Sequence, residues 1–273
     1  MDAAGCDISG HTCYGSGQGY QGLTEQILRF LGRLFRADPQ PPLPDRDLAV
    51  IGDLHGRADL LEAMVEQLAN AGGTERTLVF VGDYIDRGEA SASVLGLLQA
   101  LQKDLWPGDV ICLKGNHEAM LLDFLDAPEE AGPFWIHNGG AHTLASFGIR
   151  PAALAPDTLG AARDALRDAM GPQTEAWLRA LPLSFRSGNV LVTHAGADPH
   201  APVAQQQETH LLWGHPDFLT TPRRDGIWIA HGHTILEAPS AQAGRISVDT
   251  GAYATHRLSA ALITQGECRF LTT

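Results

Sequence analysis

From residue 47 onward, short apolar runs alternate with stretches of helical period. DLAVIGDLHG (47–56), TLVFVGDYIDRG (77–88) and DVICLKGNHE (109–118) each read as a strand running into a loop. Between and after them, 58–70, 91–103 and about 118–126 repeat their apolar residues at helical spacing. Strands alternating with helices over short connections predict an α/β fold with a mostly parallel sheet covered on both faces. Residues 128–188 are less regular and read as a helical insertion, with helices expected at 157–170 and 173–180. Strands resume at NVLVTHAG (189–196), GIWIAHGHT (226–234), RISVDTGA (245–252) and RLSAALIT (257–264). The last two suggest antiparallel pairing, hence a mixed or second sheet.

The first 45 residues follow other rules. Residues 1–20 are rich in Gly, Ser and polar side chains, and then Ile27, Leu28, Leu31, Leu34 and Phe35 fall on one helical face. DPQPPLPD (38–45) breaks any helix and reads as an extended linker. The expected organisation is therefore an N-terminal segment, 1–45, and a main domain, 46–273.

Composition narrows the field. At 44% hydrophobic and 19% charged residues the chain is an ordinary globular protein, and a formal charge of −13 disfavours nucleic acid as a partner. No stretch is apolar enough to span a bilayer, and the N-terminus lacks a basic region followed by an apolar one, so a cytoplasmic location is expected. Cys112 sits in an apolar strand as a small core residue, while Cys6, His11 and Cys13 read as part of a loose tail rather than a metal knot.

The chemistry gathers at strand ends. Five strands finish in Asp, His or Asn, usually beside Gly: Asp53 with His55, Asp83 with Asp86 and Arg87, Asn116 with His117, His194, and His231 with His233. Carboxyl ends of strands form the ligand crevice of α/β sheets. Any one of these residues alone would be a helix cap or a packed histidine, but five such ends ask for a shared target. Oxygen and imidazole donors without thiolates suit manganese, iron or zinc in a working site rather than a structural knot. Two divalent ions about 3.5–4 Å apart need a bridging carboxylate and usually serve phosphate-ester chemistry.

GDLHG (52–56), GDYIDRG (82–88) and GNHE (115–118), followed by His194 and GHT (232–234), resemble the signature of the phosphoprotein phosphatase family of metallophosphoesterases, in its bacterial and phage form. The resemblance covers about residue 48 to the C-terminus. It implies a four-layer sandwich of two mixed sheets flanked by helices, with the site along one edge. It also implies two divalent cations, manganese first with iron or zinc as alternatives. Asp53 and His55 would hold the first ion, Asp83 would bridge, and Asn116, His194 and His233 would hold the second. Asp86 would orient His117, the proton donor, and Arg87 would grip phosphate oxygens. The implied activity is hydrolysis of a phosphomonoester by a hydroxide held between the ions, the substrate being phosphoserine, phosphothreonine or phosphotyrosine in a protein, or a small phosphate ester.

Some details depart from the pattern or stay outside it. Only His233 precedes Thr as the family requires, so His231 is expected to support the ligands from behind or to be structural. Ile235 stands where broader metallophosphoesterases carry a further histidine. His215 stands where bacterial and phage relatives often carry an arginine, two residues after Trp213, leaving His215, Arg223 or Arg224 as the second phosphate clamp. His137, His142, His200, His210 and His256 lack motif context and read as surface or packing residues, while HNGGAHT (137–143) is a candidate pocket wall and VDTGA (248–252) a structural turn near the site. The rival readings are a dinucleoside-tetraphosphate hydrolase, which typically lacks the Asp86-Arg87 pair, and a non-catalytic binding module.

Overall fold

The computed structural model describes residues 40–72, 75–150 and 158–273. The expected N-terminal helix and the Cys6, His11 and Cys13 group lie outside the described residues. Residues 40–273 form one unit. The end of the Pro-rich stretch is pinned rather than free: Asp45 N–H donates to Ser187 Oγ at 2.9 Å and Gly188 N–H to the Asp45 carboxylate at 2.7 Å.

Strand and helix alternate as the pattern predicts. β1 (Leu48–Ile51), α1 (Ala58–Asn70), β2 (Thr77–Phe80), α2 (Ser91–Ala100), β3 (Val110–Cys112) and α3 (Asn116–Asp126) follow in order. Then come α4 (Pro128–Trp135), α5 (Ala141–Ser146) and α6 (Leu159–Ala180). A kink divides α6 at Gly171, where φ is 77° and Pro172 follows, so the two expected helices are two arms of one element. The second half runs β4 (Ser184–Ser187), β5 (Val190–Thr193), α7 (Glu208–Trp213), β6 (Trp228–His231), β7 (Ser240–Gln242), β8 (Arg245–Ser247), α8 (Ala252–Thr255), β9 (Ser259–Thr264) and β10 (Glu267–Thr272).

Two five-stranded mixed sheets result, ordered β10-β9-β1-β2-β3 and β4-β5-β6-β8-β7. One expectation is corrected. The last two apolar runs are not paired with each other: β8 lies parallel to β6 in the second sheet, and β9 antiparallel to β1 in the first. The stretch between them, containing α8, carries the chain from one sheet to the other. β4, β7 and β10 leave little mark in the apolar pattern because they are short, polar or edge strands with exposed residues.

The period-two alternation of strands sorts the core. Leu48, Val50, Val79, Val81, Val190, Val192 and Ile246 fill the space between the sheets, whereas Ala49, Ile51, Leu78 and Phe80 face the helices on the first sheet. The outer face of the second sheet has a thinner cover, in which Leu191 and Ile229 meet Leu211 of α7 and Phe218 of a loop. Each fully buried Leu, Ile, Val or Phe contributes roughly 1.5–3 kcal/mol, so the inter-sheet and helix layers dominate stability. Both sheets end at the same edge. Gly232 marks how closely they meet there, since a Cβ would lie 2.0 Å from Asp53 Oδ1 and 2.6 Å from Val81 Cγ2.

Candidate metal centre

Loops leaving β1, β2 and β3 bring Asp53, His55, Asp83, Asn116 and His117 to that edge, and loops leaving β5 and β6 bring His194 and His233. All seven are buried except His233, which is partly so. The backbone is bent to achieve this. His55, Asp83, Asp86, Arg87 and His233 have φ values of 44°, 54°, 71°, 68° and 61°, five of the seven positive-φ non-glycine residues described. Such conformations cost on the order of 1–3 kcal/mol each and persist only where surroundings over-determine them. Here Leu54 and His55 both donate N–H to Asp83 O at 3.0 and 2.8 Å, and Gly56 donates to Tyr84 O at 2.8 Å.

The donor atoms converge. One ligand atom each from His55, Asp83 and His117 lies within 4.8 Å of the others, and the same holds for Asp83, His194 and His233. Asp83 belongs to both groups, the place expected of a bridge. Asn116 Oδ1 lies 2.7 Å from His194 Nε2 and 3.1 Å from His233 Nδ1, and Asp53 accepts His233 N–H at 3.1–3.2 Å.

Tautomers show what the centre is built for. His55 Nδ1–H donates to Ile85 O at 2.8 Å and His194 Nδ1–H to Val81 O at 3.0 Å, so in both rings the Nε2 lone pair points inward. The His194 lone pair then faces Asn116 Oδ1, another acceptor, at 2.7 Å. Acceptors turned toward one another are what a cation satisfies. Charge agrees: Asp53, Asp83, Glu118 and Asp249 are buried carboxylates, with Arg87 the guanidinium at the centre. Burial, partly offset by Asp83, lowers His55 to about 3 and His194 to about 4, keeping both rings neutral donors. Asp53 is pushed well up by burial and then by Asp249 and Asp83. Asp83 itself stays below its ordinary value, because His194, His117 and His55 outweigh burial. The residues present fit a pair of divalent cations.

Asp86 and His117 form a buried dyad, Asp86 Oδ2 to His117 Nδ1 at 2.6 Å. That leaves His117 Nε2 toward the centre, 3.8 Å from Asp83 Oδ2. Burial lowers the His117 pKa, but Asp83 and Asp86 outweigh it and hold it above the ordinary value. Asp86 is fixed in turn by Trp135 Nε1–H at 3.0 Å and Thr143 Oγ1–H at 2.6 Å. Arg87 stands over the centre, donating to His55 Nε2 at 3.2 Å with its guanidinium 4.9 Å from the Tyr253 ring. Gly139 (φ 111°) accepts the Arg87 N–H, and a Cβ there would stand 2.8 Å from that nitrogen. The HNGGAHT stretch thus supports Asp86 and Arg87 from behind.

Glu118 lies in the first turn of α3 and does more. Its carboxylate accepts N–H groups of Gly115, Asp83 and Tyr84 at 2.9, 2.9 and 2.8 Å, tying the β2 and β3 loops together. Burial, then Asp83, raises its pKa to about 7. Asp249, within VDTGA, is buried beside Asp53 with its pKa raised by burial to about 6. Neither role could be read from local pattern. His231 is structural, its ring bonded to Ser247 Oγ at 2.9 Å and Gly232 O at 3.0 Å. Arg223 is committed elsewhere, donating to the carbonyls of Asp198 and Ala201 and pairing with Asp225. His215 faces Asp198, with Nε2 3.8 Å from Oδ1.

Residues 47–256 match the family model described as calcineurin-like phosphoesterase. Serine/threonine-protein phosphatase 2 of Salmonella typhimurium is 28% identical over 236 residues, covering 78% of this chain and 91% of that protein. Bis(5'-nucleosyl)-tetraphosphatase PrpE of Bacillus velezensis is 29% identical over 227 residues, covering 74% and 83%. Among solved structures, the cold-active protein-tyrosine phosphatase of a psychrophilic Shewanella superposes with a TM-score of 0.54 at 18% identity, covering 85% of this chain and 82% of that one. Phosphoprotein phosphatase and tetraphosphatase relatives stand nearly level in identity, so similarity does not rank the substrates. Its sandwich of two sheets, its donors at the strand ends and its match over 47–256 make this chain a member of the calcineurin-like phosphoesterase family.

Proposed function

We propose that the chain is a phosphomonoesterase acting on phosphoserine or phosphothreonine in proteins, with phosphotyrosine as a further substrate. The supporting observation is the Asp86–His117 dyad placed beside Arg87 at the ligand cluster. Asp53, His55 and Asp83 would hold one divalent ion, and Asp83, Asn116, His194 and His233 the other, with manganese the first candidate. Bound there, such ions supply Lewis-acid activation of water and neutralisation of phosphoryl charge. Arg87 offers a planar two-pronged donor that orients the phosphoryl group and disperses its charge. Asp86 holds the His117 ring so that Nε2, protonated through the raised pKa, can deliver a proton to the departing alkoxide. Trp135 and Thr143 keep Asp86 from turning away.

A second reading is favoured by the PrpE relatives: asymmetric cleavage of a dinucleoside tetraphosphate. Activity measured on phosphopeptides and on diadenosine tetraphosphate, with manganese present, separates the two. Free phosphate from the peptides at higher kcat/KM supports the first. Efficient release of nucleotides from the tetraphosphate, with no turnover of phosphopeptides, replaces it.

A further inference from the structure

Two histidines outside the central cluster meet one carboxylate, and a third, paired with Asp217, stands nearby. Asp198 follows β5, His210 lies on α7, and His215 sits in the turn after it; one ligand atom from each lies within 4.8 Å of the others. The His210 and His215 rings meet edge to face at 4.6 Å, and His200 approaches His215 at 6.1 Å. The Nδ1 atom of His210 is shut off from water and has no hydrogen-bond acceptor or donor among the described residues. The loop carrying Asp198 is firmly built: its carbonyl takes the Arg223 guanidinium at 2.7 Å, its N–H donates to Gln206 at 2.7 Å, and Oδ1 accepts His200 N–H at 2.8 Å.

We propose that Asp198, His210 and His215 form a peripheral metal site for a divalent cation of the zinc type, sharing no ligand with the centre at the strand ends. Two imidazoles and one carboxylate are a donor set that zinc accepts, with water as the fourth ligand. The cation would staple the loop after β5 to α7 and to the turn following Trp213. It would also return positive charge to the segment where His215 stands in place of an arginine. One rearrangement is required. His215 Nδ1 now accepts Asp217 N–H at 3.1 Å, which leaves the proton of the neutral ring on Nε2, facing Asp198. Binding through Nε2 needs that proton moved to Nδ1 and the Asp217 N–H released, so this site should bind more weakly than the buried centre.

The test is zinc binding to the full chain. Equilibrium dialysis with metal analysis, and anomalous diffraction at the zinc edge, should show an ion among these three residues. The double variant His210→Ala with His215→Ala should lose one equivalent of zinc and keep the others. Asp198→Asn retains an acceptor for His200 N–H, so its loop keeps its support; it should weaken this zinc at least tenfold without altering the circular dichroism of the metal-free protein. The proposal is overturned if no anomalous peak lies at the cluster, or if the stoichiometry and affinity of all bound zinc are the same in wild type and in Asp198→Asn.

Discussion

Two clusters in this protein use the same residue types, Asp and His, to different degrees of preparation. At the strand ends, His55 and His194 give their Nδ1–H to backbone carbonyls and so present lone pairs to the centre. At the periphery, His215 takes a backbone N–H and presents a proton. The central carboxylates Asp53 and Asp83 are about 2% exposed, whereas the Asp198 and His215 side chains are 19% and 17% exposed. Positive-φ residues crowd the first cluster, and none of Asp198, His210 or His215 is among them. Identity of side chains therefore does not by itself prepare a site for cations. Carbonyls that select the tautomer, and strain held in place by a rigid sheet edge, do.

The sharpest way to break this contrast is Asp83→Asn. An amide bridges two cations poorly, so nearly all activity and much of the central metal should be lost, while zinc at the peripheral site is retained. Near-wild-type turnover at full central occupancy would show that Asp83 is no bridge.

His117→Asn comes next in size. General-acid catalysis is typically worth about 10²–10⁴-fold, and its value grows with the basicity of the leaving oxygen. The loss should be far larger on phosphoserine peptides than on p-nitrophenyl phosphate, whose leaving group needs no proton. Equal losses on both, with chemistry rate-limiting and metals in place, would make His117 a positioning group instead.

A subtler change is expected from Asp86→Asn. Asp83 and Asp86 raise the His117 pKa above 6.5, so the working imidazolium persists to higher pH and activity falls as pH rises through the raised value. Removing the Asp86 charge lowers that pKa. The alkaline limb of the kcat profile should then move to lower pH, and an unmoved limb assigns it to another group.

The smallest of the four effects concerns the clamp. Arg87→Lys keeps the charge but not the fork, and should weaken inhibition by phosphate and lower kcat/KM on phosphopeptides. His215→Ala should do less, since its ring is turned to Asp198. The reverse ranking would put His215 on the substrate.

The sequence alone determined the strand–helix order and pointed to the residues that gather at the candidate centre. The reason is local: each candidate ligand follows an apolar strand within a few residues and most sit beside a glycine, so period and motif lie in one short window. Tertiary structure decided everything that comes from a distance. Asp86 is anchored by Trp135 and Thr143, 49 and 57 residues away, and Asp83 N–H by Glu118, 35 residues away. Asp249, read as a turn residue, becomes a buried carboxylate beside Asp53 only because the second sheet closes on the first. His200 and His210 carry no motif in the chain, and His215 stands only where an arginine is expected. His210 and His215 are five residues apart, but Asp198 joins them only because its loop, fastened by Arg223, is brought to α7.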